Sequence, residues 1–113
     1  MTSTPKVLIS AQDVPNASTL LYTSPASGKG TWIDKITSNN HAATASTITV
    51  NLVPSTGAVA SSNIVTNAQS LGAGATYQYP ELVGKFLNPG DSLYAIASAA
   101  TSVNLAANGR ELT

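Results

Sequence analysis

Cysteine is missing from this 113-residue chain, and charge is nearly missing as well. Without cysteine there is no disulfide framework and no thiolate metal site, so the fold must be held by its core alone. The same absence points to folding in a reducing cytoplasm. Charged residues make up 9% of the chain, five acidic and five basic, against about 25% in an average globular protein. Lys6, Lys29, Lys35, Lys85 and Arg110 are scattered, so the clustered cations that bind nucleic acid through counterion release are not present. No apolar run approaches the roughly 20 residues that span a bilayer. Met1 to Pro5 has no basic start leading into an apolar stretch, so no signal peptide is expected. No segment carries the 3.6-residue apolar period of an amphipathic helix.

Ser, Thr, Ala and Asn replace charge, giving hydrogen-bonding side chains that lose little entropy when they are ordered. Low net charge removes the repulsion that keeps free monomers apart, which suits a protein packed against something else. Between turns the chain alternates. In Thr47-Ile48-Thr49-Val50-Asn51-Leu52 every second residue is a large aliphatic, the pattern of a strand with one dry and one wet face. Asn88-Pro89-Gly90-Asp91 is a turn, since proline presets φ and glycine accepts the positive φ of a reversal.

Further strands are expected at Lys6–Ala11, Thr19–Thr23, Thr31–Ser38, Ala45–Val53, Ser62–Thr66, an extended Tyr77–Phe86 broken or edged by Pro80, Ser92–Ser98 and Ser102–Ala107. Asn108-Gly109 reads as a bend in the tail. In the third strand Asp34 falls on the Trp32 face, so either that face is partly wet or a bulge shifts the register. The expectation is a single all-β domain over 1–113: an antiparallel β-sandwich, jelly-roll-like, of about eight strands, with residues 1–5 as a flexible arm.

Little chemistry is attached. His41 is the lone histidine and sits in an Asn-Asn-His turn, and the carboxylates Asp13, Asp34, Glu81, Asp91 and Glu111 form no recognisable motif. Gly28-Lys29-Gly30-Thr31 lacks the upstream glycine and the following helix of a phosphate loop. Asn16-Ala17-Ser18 matches a glycosylation acceptor, which has no use without secretion. No enzyme activity, metal or cofactor is expected. Tyr77 and Tyr79, two residues apart, are expected to share one strand face, as core or rim residues of the sandwich or, alternatively, as a sugar-stacking pair or interface hot spot.

Leu21-Tyr22-Thr23-Ser24-Pro25-Ala26-Ser27-Gly28, followed by a strand ending Ile36-Thr37-Ser38-Asn39, resembles small virion proteins of tailed bacteriophages. In these a Tyr-Thr-x-Pro-Ala entry precedes a strand that ends in an asparagine turn. Ile48-Thr49-Val50-Asn51-Leu52-Val53-Pro54 and Leu87-Asn88-Pro89-Gly90-Asp91-Ser92-Leu93 are similar to the group's next two landmarks, so the likeness runs from about Leu20 to Leu112. The resemblance implies a structural virion protein displayed in many copies, of the capsid decoration or cement type. Such a protein is made in the bacterial cytoplasm and carried on the capsid exterior, with the major capsid protein and copies of itself as partners. It carries over no functional residue. Termini order readily on binding, so Met1, Thr2, Ser3, Thr4 and Pro5, and Arg110 in the tail, are the expected contacts, with Tyr77 and Tyr79 next. A tail, collar or fibre-base protein is the alternative within the virion. Outside it, the alternative is a carbohydrate-binding module with Trp32, Tyr77 and Tyr79 as stacking platforms.

Overall fold

A computed structural model describes residues 1–113. Nine strands follow one another along the chain: β1 (Ser3–Asp13), β2 (Thr19–Thr23), β3 (Gly30–Asn39), β4 (Ser46–Val53), β5 (Ile64–Leu71), β6 (Thr76–Tyr77), β7 (Phe86–Leu87), β8 (Ser92–Ala97) and β9 (Asn104–Leu112). The one helical element is a 3-10 turn at Ser61–Asn63.

Every pairing is antiparallel and the pairs nest. β1 pairs β9, β2 pairs β8, β3 pairs both β6 and β7, and β4 pairs β5. Additional ladders β3·β9 and β4·β8 join these pairs into two sheets. One sheet runs β1-β9-β3 with β6 and β7 along the far side of β3; the other runs β2-β8-β4-β5. This is a long hairpin rolled so that successive pairs alternate between facing sheets, the jelly-roll arrangement. The sandwich is all-β, as expected.

Alternation places the core. Ile33, Ile36, Leu105 and Ala107 from one sheet meet Ile48, Val50, Leu93 and Ala95 from the other, all essentially inaccessible. Ser24, Tyr22, Thr31 and Glu111 thread a polar chain through one end of this interior: Ser24 Oγ lies 2.8 Å from Thr31 Oγ1, Thr31 Oγ1 lies 2.9 Å from the Tyr22 hydroxyl, and that hydroxyl donates to Glu111 at 2.5 Å. No buried side-chain polar atom lacks a partner, so the desolvation penalty of an unpaired group is avoided. Tyr22 and Ser24 of the Tyr-Thr-x-Pro-Ala segment thus have an interior role.

Three sequence expectations change, and the alternative left open at Asp34 is decided. Residues 1–5 are not a flexible arm: Ser3, Thr4 and Pro5 pair with Leu112, Glu111 and Arg110, and Thr2 and Thr113 exchange both backbone hydrogen bonds at 2.9 Å. The two ends of the chain hold each other in place.

Asn108-Gly109 makes no bend. It lies inside β9, and a Cβ on Gly109 would sit 2.0 Å from the Trp32 carbonyl oxygen. Glycine is there for close backbone approach, a role that a dipeptide reading cannot separate from a turn.

The bulge in β3 is real. Gly109 pairs with Ile33 and Asn108 with Lys35, leaving Asp34 as the extra residue. The bulge lets both Ile33 and Ile36, three apart, point inward.

Finally, Tyr77–Phe86 is not one extended segment. β6 and β7 are the two ends of a strand interrupted by a turn at Pro80–Gly84, which sends Tyr79 and Leu82 into the core, both fully buried.

Candidate interaction surface

The outward face of the five-stranded sheet collects the exposed apolar and aromatic side chains of β1, β3 and β7. Register puts Pro5 opposite Arg110, Arg110 opposite Trp32, and Trp32 opposite Phe86. Four neighbouring strands spaced about 4.8 Å apart thus carry one continuous row across the sheet. Trp32 is half-buried, and Phe86 remains 37% exposed although it follows a strand-pairing rule that buries its neighbour Leu87. Their ring centroids are 4.8 Å apart with planes inclined at 59°, a favourable tilted contact.

Gly30 makes this possible. The Phe86 ring occupies the space where a Cβ would stand, its Cζ 2.1 Å from that position, and Gly30 holds φ +128. Any L side chain there is strained and displaces the ring.

Beside the row, Arg110 grips Asp34 with Nε to Oδ2 and Nη2 to Oδ1, each 2.9 Å. The hydrogen bonds from Arg110 hold the Asp34 carboxyl below its ordinary range. The pair is solvent-exposed, so its worth lies in fixing the guanidinium's orientation rather than in stability. Val7, 57% exposed, stands next to it. Pro5, Lys6, Val7, Asp34, Asn108 and Gly109 line an open trough of about 380 Å³.

The fold joins two of the residues that the sequence nominated. Pro5 and Arg110, far apart in the chain, are cross-strand neighbours in this row. Thr2, Ser3 and Thr4 lie along the same edge strand region and Met1 is 89% exposed beyond it.

Tyr77 and Tyr79 do not join them, nor do they form a platform. Tyr79 is fully buried at φ +50, its hydroxyl 2.6 Å from Ser38 Oγ. Tyr77 packs edge-on against it with centroids 4.6 Å apart and donates to the Glu81 carboxylate at 2.7 Å. Tyr79 is therefore no partner contact and no stacking surface. The alternation rule failed because the chain leaves the strand at Gln78. Burial, and then the hydrogen bond to Glu81, push the Tyr77 hydroxyl up to about 12. Burial raises Tyr79 further, and burial together with Glu111 does the same for Tyr22.

The histidine and the remaining carboxylates are bound into the scaffold. His41 Nε2 lies 2.7 Å from Asp13 Oδ1, tying the turn after β3 to the end of β1. Asp91 accepts from the backbone N–H groups of Asn88 at 3.0 Å and Ser55 at 3.1 Å. Glu81 accepts from Thr66 and Tyr77, while Glu111 meets Tyr22 and, at 3.3 Å, Lys6 Nζ. All five carboxylates thus contact structural partners.

Phe86 and Val7 are exposed apolar residues of this face that the sequence did not single out. Their signal was present, since each breaks the polar-outward rule of its strand. No helix is long and apolar enough to cross a membrane. Comparison with protein-family models, with curated proteins and with solved structures finds no match. The protein belongs by architecture to the all-β sandwiches.

Proposed function

We propose that this chain is a structural virion protein of the capsid-decoration type, which binds the outer surface of a phage head and bridges major capsid subunits. The observation that carries the reading is the Pro5–Arg110–Trp32–Phe86 row on an open sheet face. Tryptophan and arginine are the side chains that concentrate binding energy in protein interfaces, and here they sit on rigid strands rather than loops. The jelly roll is shared by viral capsid domains, a fold-level analogy that adds weight without fixing a role. The domain is 45 Å long, which suits contact with more than one subunit. Many copies of a modest contact add up through multivalency.

Co-sedimentation of the purified protein with expanded heads, immature heads and tails tests this. Saturable binding to expanded heads, weakened at least tenfold (about 1.4 kcal/mol) by Trp32→Ala, supports the reading. Binding to tails alone moves the protein to a tail, collar or fibre-base role. Binding to neither sinks both.

One observation favours a second reading as a carbohydrate-binding module: Trp32 lies on β3, the strand whose Asp34 lines the open trough together with Asn108. Quenching of Trp32 fluorescence by sugars supports it and counts against the first.

A further inference from the structure

A net charge of zero conceals how the charges are divided in space. Lys6, Asp13, Asp34, Lys35, Arg110 and Glu111 lie on β1, β3 or β9, whereas β2, β4, β5 and β8 contain no Asp, Glu, Lys or Arg. Three ion pairs form within the protein: Lys6 with Glu111, His41 with Asp13, and Arg110 with Asp34. Glu81 is turned toward the second sheet by its hydrogen bond from Thr66 of β5, and Asp91 toward the loop after β4 by the N–H of Ser55. No carboxylate is left for Lys29, Lys35 and Lys85, which enter no ion pair and are all exposed.

The three free cations stand around one place. Lys29 directly precedes Gly30, whose missing Cβ admits the Phe86 ring, and Lys85 directly precedes Phe86 itself. Lys35 follows Trp32 along β3 and pairs across strands with Asn108, a residue of the open trough, so it shares that outward face. At about 3.3 Å per residue the run from Lys29 to Lys35 covers about 20 Å, with Trp32 at its midpoint. Arg110 adds a further donor. Its Nε and Nη2 are occupied by Asp34, whereas Nη1 bonds nothing in the protein. The Asp34 charge is thus already answered; the lysine ammoniums and Nη1 are not.

We infer that the partner docking on this face is an acidic protein surface, its carboxylates ringing an apolar centre that receives Trp32 and Phe86. The inference rests on the reading of the Pro5–Arg110–Trp32–Phe86 row as a docking surface, and adds the charge of what docks there. An aromatic centre with charge at its rim is the common anatomy of protein interfaces. Opposite charge on the partner speeds encounter and fixes orientation, while a basic partner meets uncompensated repulsion from Lys29, Lys35 and Lys85. Nucleic acid suits the site less. A duplex carries one phosphate charge per about 1.7 Å, far denser than three lysines over about 20 Å. Base stacking needs open ring faces, and Trp32 is half-buried with Phe86 leaning on it at 59°.

Nuclear magnetic resonance titration of the isotope-labelled chain tests this with three probes: a short peptide bearing leucines between runs of glutamate, the same peptide with lysine in place of glutamate, and oligothymidylate. The glutamate peptide should shift the Trp32 indole N–H and the amides of Lys35 and Phe86. Its affinity should fall severalfold from about 0.02 M to about 0.5 M salt. Lys35→Gln and Lys85→Gln should each weaken it about twofold to fivefold, and the two combined with Lys29→Gln at least tenfold. Ala43→Glu makes the same change of net charge at an exposed position in the loop between β3 and β4, and should alter affinity by less than about twofold. The proposal is overturned if the glutamate peptide does not bind, if the lysine peptide or the oligonucleotide binds this face as tightly, if the shifts fall away from Trp32, or if the lysine substitutions have no effect. Expanded heads separate it from the reading on which it rests. Head binding indifferent to salt and to the triple substitution keeps the docking reading and overturns the acidic partner. Heads left unbound while the glutamate peptide binds at Trp32 sink the head-binding reading and support the acidic preference.

Discussion

Among single residues, Glu81 shows how little the sequence position of a carboxylate says about its work. Burial alone would raise its pKa, yet hydrogen bonds from Thr66 and Tyr77 outweigh burial and lower it below the ordinary 4.5. A depressed folded-state value means that the ionised carboxylate stabilises the native state. That stabilisation is complete above about pH 4.5 and is lost as pH falls through the lowered value. Melting temperature measured from pH 7 down to pH 3 should therefore fall, and Glu81→Gln should flatten the acid limb while lowering stability at pH 7. An acid limb unchanged by the substitution would assign the loss to other groups. The carboxylate locks the β6 end of the interrupted strand to β5 through Thr66, so its influence falls on the segment that delivers Tyr79 to the core.

At the level of elements, β1 is the exposed edge of its sheet, and an edge must avoid pairing with strangers. Thr2 and Thr113 exchange both backbone bonds, so by alternation Thr4 and Lys6 also direct their backbone groups toward β9, and Ser3, Pro5 and Val7 direct theirs to the free edge. Pro5 thus spends its missing N–H where no ladder bond is lost and where an exposed donor would invite another strand. Deleting Met1–Pro5 removes the pairing of Ser3, Thr4 and Pro5 with β9 and uncovers its end. The expected cost is about 1–3 kcal/mol, a fall of about 5–15 °C in melting temperature by calorimetry. Weakened capsid binding by such a truncation would then have two sources, lost contacts and a loosened face, and Trp32→Ala separates them.

For the molecule as a whole, nesting the pairs so that the first strand meets the last makes most stabilising contacts non-local. Loop-closure entropy must be met before those contacts form, and all-β domains of this kind fold in about milliseconds to seconds. Trp32, the only tryptophan, lies on β3 between β9 and β7 and so reports assembly of the sheet that needs both chain ends. Stopped-flow refolding followed by its fluorescence should show a main phase in that range, slowed by deletion of Met1–Pro5 only if the β1·β9 pair forms in the transition state. Microsecond refolding would contradict the topology.

The sequence by itself determined that this chain is a sandwich of short strands. Ile48, Val50 and their polar neighbours alternate with a period that only a half-buried strand satisfies, and Asn88–Asp91 could only be a turn. It also determined that β3 had an ambiguity at Asp34. Tertiary structure decided the rest: that Pro5 stands beside Arg110, that Tyr79 is core while Phe86 is surface, and that charge is confined to one sheet and the loops. These depend on strand register, and a one-residue shift reverses every facing side chain in a strand. Register is set by bulges and by partners many residues away, such as Gly109 against the Trp32 carbonyl, and local alternation carries no record of them.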